Sequence, residues 1–106
     1  MRRRRVLLGG VAVHQLRRDG ARCQVRDISE KGARILVSHA ALLPESLHLI
    51  VIREQIAYEA RVIWRKGDAA GLAFSKTIDL STPPDPTLAH LQKIWAQQKG
   101  DYLSWR

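Results

Sequence analysis

The sequence predicts an all-β fold: a small six-stranded antiparallel barrel with one C-terminal α-helix. Three observations carry that expectation. Apolar and polar residues alternate with a period of two in short runs between residues 11 and 75, the signature of half-buried strands. Breaks bearing glycine, aspartate or proline separate the runs at hairpin spacing. After residue 80 the pattern changes: "STPPDP" admits no regular structure, and the apolar residues beyond it recur at helical spacing. A chain of 106 residues with 45% hydrophobic content suits one domain with its own core. Closing so few short strands into a barrel removes the exposed edges that an open sheet would leave.

The elements follow in order. Residues 1–7 read as a basic N-terminal segment, 8–76 as the barrel, 81–86 as a proline-rich linker and 87–99 as the helix. The first strand, around Val11 and Val13, has the weakest pattern. In "ARCQVRDI", Cys23 and Val25 face one way while Arg22, Gln24 and Arg26 face the other. "GARILVS" sets Ala33, Ile35 and Val37 against Arg34, Leu36 and Ser38. "SLHLIVI" puts Leu47, Leu49 and Val51 on one face, which leaves His48 as a surface position. "QIAYEARVIWR" sets Ile56, Tyr58, Ala60, Val62 and Trp64 against Ala57, Glu59, Arg61, Ile63 and Arg65, so Trp64 reads as a buried core residue. "AAGLAFS" closes the set with Leu72 and Phe74. Asp19-Gly20, Gly32 and Gly67-Asp68 supply turn residues that tolerate positive φ. Asp85 before Pro86 is an N-cap followed by proline at the first helical position. Leu88, Leu91, Ile94 and Trp95 then form a stripe that should pack on the barrel, and Gly100 is the expected stop.

Composition narrows the function classes. Net charge is +8, and 13 of the 18 basic residues are arginine. That favours an anionic partner: nucleic acid, a phosphorylated ligand or an acidic surface. Arginine forks match phosphate and the guanine edge, although GC-rich codon usage would enrich arginine equally well. Aromatic residues total only 6%, leaving few exposed rings to stack bases, so nucleic acid is the less favoured anion. A single cysteine, Cys23, allows no intrachain disulfide, fits a reducing compartment and reads as a small core residue. His14, His39, His48 and His90 lie far apart without ligand spacing, so no metal and no cofactor are expected. No nucleophile–base arrangement and no glycine-rich loop opening a helix are present, which argues for a binding module over an enzyme. "VLLGGVAV" is too short to span a membrane and leads into polar residues, so the expectation is a soluble cytoplasmic protein.

One stretch carries chemistry. In "RDISEKGARI", Asp27, Ser29 and Gly32 form D-x-S-x-x-G between two predicted strands. Asp27 can accept paired hydrogen bonds of the kind guanine N1–H and N2–H₂ offer. Ser29 and the loop amides can donate to a phosphate oxygen. Gly32 lets the chain turn where a side chain would clash. Arginines nearby would neutralise phosphates and meet guanine O6 and N7. The same residues also make an ordinary hairpin turn.

With these residues the chain resembles PilZ domains, bacterial receptors for cyclic di-GMP. The resemblance covers residues 5 to about 76: an arginine before the first strand, "RDISEKGARI", a strand ending "ARVIWR", and "GLAF". It implies a six-stranded barrel, often followed by a helix, that binds the dinucleotide across its outer surface. It assigns Asp27, Ser29 and Gly32 to the D/N-x-S-x-x-G motif and brings N-terminal arginines to the same ligand. Arg5 fits the second arginine of the family's R-x-x-x-R motif, whereas Met1 stands at the first. Arg2, Arg3 and Arg4 are out of register, and are either an improvised other half or a solvated basic tail. Arg26 abuts Asp27 and completes the candidate set of Arg2, Arg3, Arg4, Arg5, Arg26, Asp27, Ser29 and Gly32. The leading expectation is a cyclic di-GMP receptor whose N-terminal arginines fold over the ligand and present a changed surface to a protein partner. The alternative is a degenerate PilZ-like barrel that binds no dinucleotide and serves as a protein-interaction adaptor.

Overall fold

The computed structural model describes residues 4–16, 18–82 and 85–103. Six antiparallel strands close a barrel in the order β1-β2-β3-β6-β5-β4, and a helix follows. The strands are β1 (Arg4–His14), β2 (Gly20–Ser29), β3 (Gly32–Leu36), β4 (Ser46–Val51), β5 (Ile56–Lys66) and β6 (Ala69–Asp79). The barrel therefore reaches beyond residues 8–76 at both ends. Arg4 and Arg5 belong to β1 and pair with Ile28 and Asp27, so these two arginines are strand residues and not part of a loose tail.

The period-two runs become strands because their apolar sets fill the barrel. Cys23, Val25, Ile35, Leu47, Leu49, Val51, Val62 and Leu72 form one buried cluster with Leu8 and Ala12. Burial pushes the Cys23 thiol up to about 12, so it stays a neutral core group. Of the three expected turn glycines only Gly67 takes positive φ, at 58°. In the first turn Arg18 takes that role, with φ 62°.

The helix α1 (Ala89–Leu103) follows a single 3₁₀ turn, Pro86–Leu88. Asp85 caps it as expected, its side chain accepting from the Thr87 amide at 2.9 Å. Gly100 does not end the helix, which continues to Leu103. The stripe packs on the outside of the barrel. Leu88, Leu91, Ile94 and Trp95 meet Val11, Val13, Ile50, Ile52, Ala57, Ile78 and Leu80 in a second apolar cluster. Trp95 Nε1 donates to the Ile52 carbonyl at 2.8 Å, and Gln92 Nε2 to the Leu80 carbonyl at 3.0 Å. Each fully buried aliphatic chain there is worth roughly 1.5–3 kcal/mol of transfer free energy.

Helix docking corrects one expectation. β4 is buried on both faces, with Leu47, Leu49 and Val51 inside the barrel and Ile50, together with Ile52 just past the strand, under the helix. His48 is 6% exposed and not a surface residue, its ring 6.4 Å from that of His90 on α1. Trp64 corrects another. β5 gains a residue against β6 between Val62 and Trp64. The bulge turns both Ile63 and Trp64 outward, at 57% and 42% exposure. No helix among the described residues is long and apolar enough to cross a membrane.

Candidate functional site

Strict alternation along β2 would send Asp27 inward behind Cys23 and Val25. A bulge prevents this. Val25 pairs with Ile35 and Asp27 with Arg34, so Arg26 is an extra residue against β3. The phase flips: Ile28 enters the core cluster and Asp27 faces the outer wall. β1 carries its own irregularity between Arg5 and Leu8. Beyond it Arg5 stands directly beside Asp27, in register on the neighbouring strand.

The result is a cross-strand row, Arg5–Asp27–Arg34, from β1 through β2 to β3. Arg5, Val6, Arg26, Asp27 and Arg34 line a half-open cleft of about 520 Å³. Arg34 Nε donates to Asp27 Oδ2 at 2.7 Å. The aspartate side chain is 10% exposed and the arginine 39%, so the carboxylate lies at the floor and the guanidinium at the rim. Three guanidiniums against one carboxylate leave the cleft positive. Such a surface attracts a phosphorylated anion, while the carboxylate offers acceptors to N–H groups.

The row continues past the cleft. Arg34 pairs with Gly71 on β6, and Gly71 with Trp64 on β5. The Trp64 indole lies against Gly71, where a methyl group would collide with Nε1 and Cε2. Strand spacing of ~4.8 Å puts that indole roughly 10 Å from Asp27 along the outer wall.

The sequence candidates divide accordingly. Arg5, Arg26 and Asp27 are brought together in the cleft. Ser29 and Gly32 pair at the end of the β2–β3 hairpin, adjacent to the row but outside the cleft lining. Ser29 Oγ accepts from the Lys31 amide at 3.3 Å, which leaves its hydroxyl proton available to a ligand oxygen. Gly32 adopts no positive φ. It is needed because a methyl there would strike the Leu72 carbonyl of β6, so its smallness sets the approach of β3 to β6. Arg4 turns the other way and meets Glu54 Oε2 at 3.9 Å, beside Arg53 in a separate hollow. Arg2 and Arg3 lie outside the described residues. Arg34 and Trp64 escaped the sequence reading. Arg34 looked like one more solvent-facing position of a strand, and Trp64 like core.

A small closed barrel with a positive cleft on its outer wall, and a carboxylate at the floor of that cleft, has the geometry suited to holding an anionic ligand on its surface. The model of the PilZ domain family matches residues 2–92, and the chain belongs to that family of cyclic di-GMP receptor domains. PilZ domains are binding and adaptor modules, not enzymes. A search of curated proteins found no match.

Proposed function

We propose that this chain binds cyclic di-GMP in the cleft at Asp27 and passes the signal to a protein partner in the cytoplasm. The observation that carries the reading is the outward Asp27, set by the β2 bulge between Arg5 and Arg34. Asp27 would accept the guanine N1–H and N2–H₂ donors, and Arg5 and Arg26 would meet phosphate and the guanine O6/N7 edge. Ser29 would donate its hydroxyl to a phosphate oxygen, with Gly32 keeping the hairpin close to the sheet. The exposed indole of Trp64 offers a stacking plane for a second base at the far end of the row. No metal or cofactor enters this scheme. Arg4 and Arg5 are already paired in β1, and Arg2 and Arg3 before them supply further positive charge. A partner would read the altered surface around the start of β1.

Titration calorimetry at moderate salt tests the reading, with GTP as control. Saturable heat with cyclic di-GMP and none with GTP is the expected result. Asp27→Ala should weaken binding by ~1–3 kcal/mol or more, the value of a bidentate base contact. Arg5→Ala should cost a similar amount through a lost charge-assisted contact. A folded parent chain that gives no heat with the dinucleotide would overturn the proposal. Amide exchange of residues 1–10 with and without ligand checks the signalling step, which fails if the two patterns coincide.

A further inference from the structure

Arg34 lies outside the D-x-S-x-x-G residues, yet it is the side chain most tightly tied to the cleft. Its Nε–H is taken by Asp27 Oδ2 at 2.7 Å. No described residue accepts from its Nη amino groups. Its side chain is 39% exposed at the rim, whereas the carboxylate that holds it is nearly buried. The guanidinium is planar, so fixing Nε on the aspartate fixes the plane and the direction of the Nη fork. An arginine held in this way has lost part of its rotamer freedom before any ligand arrives, which lowers the entropy a ligand must remove. Arg5 stands across Asp27 on the opposite strand, so positive charge reaches the carboxylate from both sides.

We propose that Arg34 is a ligand-binding residue in its own right: Asp27 holds its Nε, and its Nη fork grips a phosphate of the bound dinucleotide. This rests on reading the cleft as the cyclic di-GMP site. Asp27 then has two duties. It accepts from the base, and it positions the arginine that binds the phosphate. A carboxylate has about four lone-pair directions, so one bond to Arg34 does not preclude others. Arg34 is thereby separated from a merely structural arginine, whose only effect would be to hold Asp27 in place.

The experiment is calorimetric titration of cyclic di-GMP into the parent chain, Arg34→Ala, Arg34→Lys, Asp27→Ala and the Asp27→Ala/Arg34→Ala double variant, with thermal unfolding of each as a fold check. Arg34→Ala should weaken binding about 10-fold or more, the scale of a charge-assisted bidentate contact. Arg34→Lys keeps the charge without the fork and should still lose several-fold. In the Asp27→Ala background, Arg34→Ala should weaken binding further, but by a smaller factor than in the parent, because the unheld arginine binds less well. If Arg34→Ala has no additional effect once Asp27 is gone, Arg34 acts only through Asp27 and the inference is wrong; if Arg34→Lys binds like the parent, the Nη fork is not what grips the phosphate and the inference is wrong as well. If Asp27→Ala binds too weakly to titrate, the Arg34→Lys result decides. A parent chain that binds no dinucleotide would remove the functional reading together with this one. A binding parent with an unaffected Arg34→Ala would remove this inference alone.

Discussion

The two outer walls of the barrel are built on opposite terms. The wall of β4 and its neighbours is covered by α1 and is apolar: Leu91, Ile50, Ile52 and Ile78 meet there, and the ring nitrogens of His48 and His90 enclosed with them have no hydrogen-bond partners among the described residues. The wall formed by the start of β1, the end of β2, and β3 stays open. Its charges are arranged in a row, with Asp27 held by Arg34 and flanked by Arg5. A barrel of this size has no internal cavity to spare for a ligand, so function has to sit on an outer face. The helix decides which face: it covers the apolar wall and leaves the charged one to solvent.

The largest expected effect tests whether the covered wall supplies stability rather than binding. Leu91, on the barrel-facing side of α1, is fully buried, and Leu91→Ala should cost ~2–5 kcal/mol in denaturant unfolding. Affinity for cyclic di-GMP per folded molecule should not change, since no residue of the cleft lining lies on that wall. Unaltered stability would mean that the helix is not part of the cooperative unit.

A smaller effect separates the walls by pH. Burial pushes the pKa of His48 down. His90 and Lys76 on β6 add to that shift, and Glu59 on β5 opposes it. Burial and Arg18 push His90 down as well, while the Thr87 backbone opposes, although it makes no hydrogen bond of good geometry to the ring. With folded values below the ordinary 6.5, helix docking is fully stabilised above pH ~6.5 and weakens as pH falls through and below it, because the undocked rings take up protons first. The Trp95 indole N–H resonance, followed from pH 7.5 to 5, should report loss of the bond to Ile52, and His48→Leu should flatten the response. A resonance that stays constant over that range in the parent would show that the pair does not couple docking to pH. The cleft lining contains no histidine, so ligand contacts there should not follow this titration.

How much of this was legible in the sequence depends on the range of the interaction involved. The barrel was legible, because Leu47, Leu49 and Val51 or Cys23 and Val25 reveal a strand face from a few neighbouring residues. Burial of His48 was not, because the residue that covers it, His90, arrives 42 positions later on a different element. Bulges were invisible for a related reason: an extra residue at Arg26 or Ile63 is defined only against the partner strand. Both bulges invert the reading where they occur, placing Asp27 outward and exposing Trp64. The motif points to Asp27 and the arginine run to Arg5, and these two residues stand side by side in the cleft. The Arg34–Asp27 pair was not legible because it depends on the register of Arg34 opposite Asp27, which no local pattern records.

The smallest expected effect sharpens the comparison inside the arginine run itself. Arg4 and Arg5 are adjacent in sequence yet serve different hollows. Arg4 pairs with Glu54 at 3.9 Å, and its side chain is 61% exposed. An exposed pair at that distance is worth about 0–1 kcal/mol and is screened by salt. Arg4→Ala should therefore shift the unfolding midpoint barely at all and leave dinucleotide affinity within about twofold of the parent. Arg5→Ala should leave stability equally intact and still weaken binding markedly, because Arg5 stands in register with Asp27. Since the two variants remove the same charge from neighbouring positions, a difference between them measures geometry, not net charge. Equal losses of affinity would mean that the run acts as a diffuse basic tail, and that the strand register of Arg5 confers no advantage.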